Sequence, residues 1–153
     1  MKIWLLRHGA AEDYQRNDAD RQLTEQGRQQ VLQAAELLRN VQFDRVLSSP
    51  YVRAQQTTEL LCATLQYSGG IETVPWLTPE DDVREVTRNL GGYTVENLLI
   101  VAHQPLLGTL VSWLTEAHRQ HGVAMNTASV ACLEGDFIGA GSMQLRSLQH
   151  VHE

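Results

Sequence analysis

The sequence predicts an α/β fold, a three-layer α/β/α sandwich with helices on both faces of a mostly parallel, mixed sheet. Three observations carry this expectation. Short apolar runs alternate with helical patterns along most of the chain. The run Asn97-Leu98-Leu99-Ile100-Val101-Ala102 is continuous in the way of a strand buried on both faces. Near the C-terminus the alternation gives way to two strand-like segments joined by a glycine-bearing connection.

Taken in order, residues 2–6 are a short apolar run that stops at Arg7-His8. Thr24 is a good N-cap for a first helix, whose apolar positions Val31, Ala34, Ala35 and Leu38 fall at i, i+3, i+4 and i+7. Residues 45–47 form a second strand. Ser49-Pro50 reads as a cap with proline at the first helical position, which predicts a second helix over residues 50–65. A short strand over 71–74 follows, then a helix opened by Thr78-Pro79, running to Leu90 and stopped by Gly91-Gly92. After the buried strand at 97–102, Gln104-Pro105 starts another helix with Leu107, Leu110, Val111 and Leu114 at helical spacing. Residues 128–133 and 142–148 should pair as an antiparallel hairpin added to the sheet. No linker rich in Pro, Gly and Ser divides the sequence, so residues 1–153 are expected to be a single domain.

A chain of 153 residues can bury one substantial core. With 42% hydrophobic and 20% charged residues, it has no apolar run approaching the roughly 20 residues that a bilayer crossing needs. Lys and Arg total 12 against 18 Asp and Glu, a formal charge of -6, which argues against broad binding to nucleic acid or anionic membranes. Any phosphate must be held locally. The apolar run at 2–6 is too short for the core of a signal peptide, so a cytoplasmic location is expected. Cys62 and Cys132 have neither disulfide-scaffold density nor zinc-site spacing, and are expected to be buried small apolar residues.

In an open α/β sheet ligands collect outside the carboxyl ends of the strands, which makes the residues just after each strand the candidates. The first strand ends in Arg7-His8-Gly9, the second leads into Ser48-Ser49-Pro50 with Arg53 in the following helical turn, and the buried strand ends in His103. Two arginines and two histidines converge. The planar guanidinium fork pairs with phosphate oxygens, and helix N-termini near Arg53 and after Gln104-Pro105 add backbone donors. A neutral imidazole can attack phosphorus and carry it as phosphohistidine, while a second, protonated imidazole can donate where transition-state charge gathers. His8 and His103 can divide these roles. Two buried arginines without an anion would be costly, which weighs against a purely structural reading.

Four blocks, Leu6-Arg7-His8-Gly9, Leu23-Thr24 with Gly27, Ser48-Ser49-Pro50 with Arg53-Ala54 and Thr57, and Val101-Ala102-His103, resemble successive landmarks of the histidine phosphatase superfamily, which includes the phosphoglycerate mutases. Arg-His-Gly alone occurs by chance; the four blocks in order, from residue 2 to about 110, are specific. The resemblance implies that His8 is the nucleophile that becomes phosphorylated, that Arg7 and Arg53 bind the phosphoryl oxygens, and that His103 is the second pocket histidine. Within the superfamily the chain is most similar to the small phosphohistidine phosphatases of the SixA type. Its total length, Arg7-His8-Gly9-Ala10-Ala11 with no Glu-Ser pair after the glycine, and Trp76-Leu77-Thr78-Pro79 favour this. The segment from Arg53 to His103 leaves little for a capping insertion, so a phosphoglycerate mutase-like fold without a large cap, and an open site, are expected. Mutases and many sugar-phosphate phosphatases of the superfamily place a glutamate in the pocket as general acid. Here Glu80, Asp81 and Asp82 are the nearest candidates, and they equally suit the acidic first turn of a helix.

By this resemblance the expected activity is metal-independent and cofactor-free removal of phosphate from phosphohistidine on a signalling protein, such as the histidine-containing phosphotransfer domain of a phosphorelay, by a monomer. Two other readings stay open: a small phosphomonoesterase or mutase acting on sugar phosphates, against which the missing cap weighs, and a non-catalytic module that binds phosphorylated proteins. Residues 12–20, rich in Asp, Asn and Gln, are either a plain polar loop or a partner contact. His118 and His121 have i, i+3 spacing that could suggest a metal, but a solvated helix end explains them and no metal is assigned. His150 and His152 are expected in an exposed tail.

Overall fold

The computed structural model describes residues 1–13 and 17–152. Strands β1 (Lys2–Arg7), β2 (Arg45–Ser48), β3 (Ile71–Thr73), β4 (Asn97–Ala102), β5 (Val130–Glu134) and β6 (Gln144–Gln149) make one sheet in the order β3-β2-β4-β1-β5-β6. β3, β2, β4 and β1 run parallel, whereas β5 and β6 are antiparallel additions at the other edge. Helices α1 (Glu25–Leu38) and α2 (Val52–Thr64) cover one face, and α3 (Val83–Leu90) and α4 (Leu106–Glu116) the other. Alternate residues of the central strands feed the two cores: Ile3, Leu5, Leu98 and Ile100 pack towards α3 and α4, and Leu6, Val46, Leu99 and Val101 towards α1 and α2. This double burial is why β4 is apolar from Leu98 to Ala102. Both cysteines are free and buried, as expected.

The sandwich, the mixed sheet and the C-terminal hairpin match the fold expected from the sequence. Several boundaries differ, among them β6, which spans Gln144–Gln149 where 142–148 was expected. α2 starts at Val52 with Tyr51 as its cap residue and no side-chain cap, while the Ser49 hydroxyl accepts from the Tyr51 N–H and also pairs with His103 Nε2. α3 starts at Val83, not at Thr78-Pro79; the Asp81 carboxylate accepts from Thr78 N at 2.6 Å and from its hydroxyl at 2.5 Å, closing a separate turn, and Asp82 caps the helix by accepting from Arg84 N at 2.9 Å. β5 starts at Val130 because Ala128 is left-handed, with φ 58°. α4 stops at Glu116, where Ala117 adopts φ 60°, so the helical spacing of His118 and His121 is not realised and the two rings lie 6.3 Å apart beyond the helix. The tail histidines are exposed as expected, though His150 Nδ1 bonds the Ser129 hydroxyl at 2.5 Å and His152 N donates to Gln33.

Candidate active site

The topology places the ends of β2, β4 and β1 side by side, so the residues that follow them share one pocket. His8 directly follows β1, and its backbone is pinned from several sides. Its N–H donates to Ala102 O at 3.1 Å, and the Ala128 N–H donates to both Arg7 O and His8 O at 3.0 Å. This fixes the nucleophile candidate against the left-handed Ala128, a conformation uncommon outside glycine and costing on the order of 1 kcal/mol. Gly9 N donates to the Thr57 hydroxyl at 3.1 Å, and that hydroxyl donates to Arg53 O at 2.8 Å, tying the β1 end to the first turns of α2. Gly9 and Gly27 permit this approach: a Cβ on Gly9 would lie 2.6 Å from Gly27 O, and one on Gly27 would overlap Ala10 O.

The buried His8 ring has a defined tautomer. Its Nδ1 lies 2.8 Å from Gly9 O, which can only accept, so Nδ1 carries the proton and Nε2 presents a lone pair. Arg53 Nε–H donates to that lone pair at 3.3 Å. The rest of the Arg53 guanidinium is held by Asp18, through the backbone carbonyl at 2.8 Å and a carboxylate oxygen at 3.2 Å, while Tyr51 lies under it with the ring centroid 5.1 Å away. Arg21 grips the other Asp18 oxygen at 3.0 Å and donates from Nε to Glu12 O at 2.6 Å. Arg7 donates from Nη1 to Met125 O at 2.8 Å, but its Nε is buried without a partner.

His103 lies across the pocket, its ring centroid 5.1 Å from that of His8. Nε2 is 2.7 Å from the Ser49 hydroxyl, Tyr51 packs edge-on at 5.1 Å, and Nδ1 is buried without a partner. Among the described residues four buried side-chain nitrogens lack partners, and two of them, Arg7 Nε and His103 Nδ1, belong to this pocket. Native proteins rarely leave such groups unpaired. An unpartnered Arg7 N–H and an unpartnered imidazole nitrogen beside a second arginine describe a cradle for an anion with several oxygens.

Burial pushes the His8 imidazole down to about 3, with the Arg53, Arg7 and Arg21 charges adding to the effect against the opposing Gly9 hydrogen bond. Burial likewise holds His103 far below the usual imidazole range, assisted by His8, Arg53 and Arg7. Both rings are therefore neutral when the pocket holds no anion, and the imidazolium expected at His103 is not the resting state. Burial also depresses the Arg7 and Arg53 guanidiniums, Asp18 opposing this at Arg53. A neutral imidazole lone pair amid cationic donors is suited to in-line attack on a phosphoryl group.

Every residue expected at the site, Arg7, His8, Arg53 and His103, is in this pocket. Asp18, Arg21, Ser49, Tyr51 and the Met125 carbonyl were not foreseen as parts of it. Asp18 falls in the polar stretch 12–20, of which Tyr14, Gln15 and Arg16 lie outside the described residues; Ser49 carried a signal that read as a helix cap. The acidic run borders a neighbouring cleft of about 330 Å³, lined among others by Glu80, Asp81, Asp82, Pro105 and Arg119 and by none of the two arginines and two histidines. Asp81 closes the Thr78 turn, Asp82 is held ionised by Arg84, and Glu80 is exposed. Asp82 thus serves the start of α3 and Asp81 the turn before it.

The profile of the histidine phosphatase superfamily (branch 1) matches residues 3–78. The phosphohistidine phosphatase SixA of Escherichia coli (strain K12) is 33% identical over 147 residues, 93% of this chain and 90% of that protein. The SixA homolog of Haemophilus influenzae is 33% identical over 129 residues, 74% of this chain and 77% of its own length. A solved structure of the protein histidine phosphatase SixA complexed with tungstate superposes with a TM-score of 0.89 at 30% identity, over 98% of this chain and 97% of that one. With the sandwich, the strand-end pocket and these matches in agreement, the chain belongs to the histidine phosphatase superfamily, branch 1.

Proposed function

We propose that this chain is a phosphohistidine phosphatase that takes the phosphoryl group from a histidine of a signalling protein onto His8 and passes it to water. The single observation that carries the reading is the His8 tautomer, with the proton anchored on Nδ1 by Gly9 and the Nε2 lone pair met by the Arg53 Nε–H, in a pocket that also holds the unpartnered Arg7 Nε and His103 Nδ1. The likeness to SixA along nearly the whole chain supports the substrate class.

In the first step His8 Nε2 bonds to phosphorus while the substrate P–N bond breaks, its electron pair returning to the departing nitrogen. A phosphohistidine already protonated on its remote nitrogen leaves as neutral imidazole, so the site need not supply a proton. Phosphorylated His8 keeps its Nδ1 proton on Gly9 O and is the chemical equivalent of the substrate, which makes the transfer close to thermoneutral. In the second step water attacks phosphorus, His8 leaves as the neutral Nδ1–H tautomer, and the two water protons stay on the dihydrogen phosphate formed. Arg7 and Arg53 hold the equatorial oxygens, and His103 donates to one of them.

A protein substrate fits a pocket over which α2 and β4 are connected only by β3 and α3, with no large insertion. We infer further a histidine-containing phosphotransfer domain as substrate, a cytoplasmic location, a monomeric enzyme and a single domain over residues 1–153. The test compares kcat/KM on a phosphorylated histidine-containing phosphotransfer domain with that on a panel of sugar phosphates. The phosphoprotein should be strongly preferred, with acid-labile phosphate trapped on His8; faster sugar phosphate turnover, or none on phosphohistidine, rejects the reading.

A further inference from the structure

A hydroxyl has one proton to give and two lone pairs with which to accept. The fully buried Ser49 hydroxyl is 3.2 Å from Tyr51 N, whose N–H fills one lone pair, and 2.7 Å from His103 Nε2. Among the described contacts of this hydroxyl, His103 Nε2 is the acceptor open to its proton. With Ser49 donating, Nε2 carries the lone pair and the neutral ring must keep its own proton on Nδ1. Nδ1 is the nitrogen that has no partner.

We infer that Ser49 is a positioning residue for this reaction: by donating to His103 Nε2 it keeps the His103 proton on Nδ1, the nitrogen left to donate to a phosphoryl oxygen. The inference rests on the phosphoryl-transfer reading given above. It also specifies how His103 works. Adding a proton at Nε2 would leave the Ser49 proton with no acceptor in a fully buried position, a penalty that favours a neutral His103 donor over an imidazolium. Tyr51 contributes to the same geometry, since its N–H orients the Ser49 oxygen and its ring packs against the imidazole edge. Ser49, the residue after β2, thus joins His103 to the Tyr51 N–H at the entrance to α2.

The tautomer can be read directly by nitrogen-proton correlation spectroscopy of the histidine rings in the labelled protein, with His103→Gln supplying the assignment. Wild-type His103 should show a protonated Nδ1 and an unprotonated Nε2. Ser49→Ala should move the ring towards the Nε2–H tautomer that histidine otherwise prefers, and should lower kcat/KM on the phosphoprotein by about tenfold or more, the usual scale for losing a buried polar partner. Ser48→Ala removes the neighbouring hydroxyl, which has no contact with His103, and should leave the tautomer unchanged. Wild-type His103 with its proton on Nε2 overturns the inference even if Ser49→Ala fails to fold, and so does a folded Ser49→Ala protein that keeps both tautomer and rate. The tautomer is measured without substrate, so it stands or falls separately from phosphohistidine turnover.

Discussion

Acidification should destabilise this protein through His8 well above the range where carboxylates titrate. The folded ring titrates at about 3, while an unfolded histidine titrates at about 6.5. As pH falls below about 6.5 the unfolded chain takes up a proton that the folded chain refuses, so stability drops by roughly 1.4 kcal/mol per pH unit until the folded ring titrates near 3. Between about pH 6.5 and about pH 4.5 that amounts to about 3 kcal/mol from one side chain, a large share of the roughly 5–15 kcal/mol typical of a domain. His8→Asn isolates the effect, because the amide Nδ2 can still donate to Gly9 O and does not titrate. Urea unfolding of both proteins, followed by circular dichroism at about pH 7 and about pH 4.5, gives the difference of differences. The wild type should lose about 3 kcal/mol more than His8→Asn. Carboxylates and His103 add acid lability of the same sign, but to a similar extent in both proteins. Equal acid losses in the two, or a wild type that gains stability on acidification, would refute a buried neutral His8.

Three further outcomes are expected. Arg53→Ala removes the donor on the nucleophile and should cost about 3 kcal/mol of transition-state stabilisation, read as a drop of roughly two orders of magnitude in kcat/KM; a variant within about threefold of wild type removes Arg53 from the site. Glu80→Gln, Asp81→Asn and Asp82→Asn, made singly, should leave phosphohistidine turnover nearly unchanged, because the leaving imidazole brings its own proton; a fall of about a hundredfold in one folded variant identifies a general acid. Excess chelator should leave the rate intact, since the Arg7 and Arg53 guanidiniums supply the positive charge and the neutral His103 ring a hydrogen bond; loss of activity restored by a divalent ion contradicts this.

The order of strands and helices, and the pocket's four principal side chains, were legible in the sequence because both are local. Apolar runs and their spacing report burial along each element, and a parallel sheet exposes at one edge whatever follows its strands, so Arg7, His8, Arg53 and His103 could be placed by position alone. Element starts were less legible where a capping residue had a competing partner. Ser49 looks like a helix cap in sequence, yet its hydroxyl bonds His103, 54 positions away. Asp81 and Asp82 look equally like pocket acids and like a helix start; the Arg84 contact puts Asp82 at the helix start, and the Thr78 contacts put Asp81 in the turn before it. Asp18 on Arg53, Met125 on Arg7 and the left-handed Ala128 behind His8 leave no pattern along the chain. Hydrophobic periodicity is a property of neighbours in sequence and so survives in the sequence itself. The choice of hydrogen-bond partner, and with it the tautomer and charge of each histidine, depends on which distant groups are brought within about 3 Å in a buried pocket, and tertiary structure alone determines that.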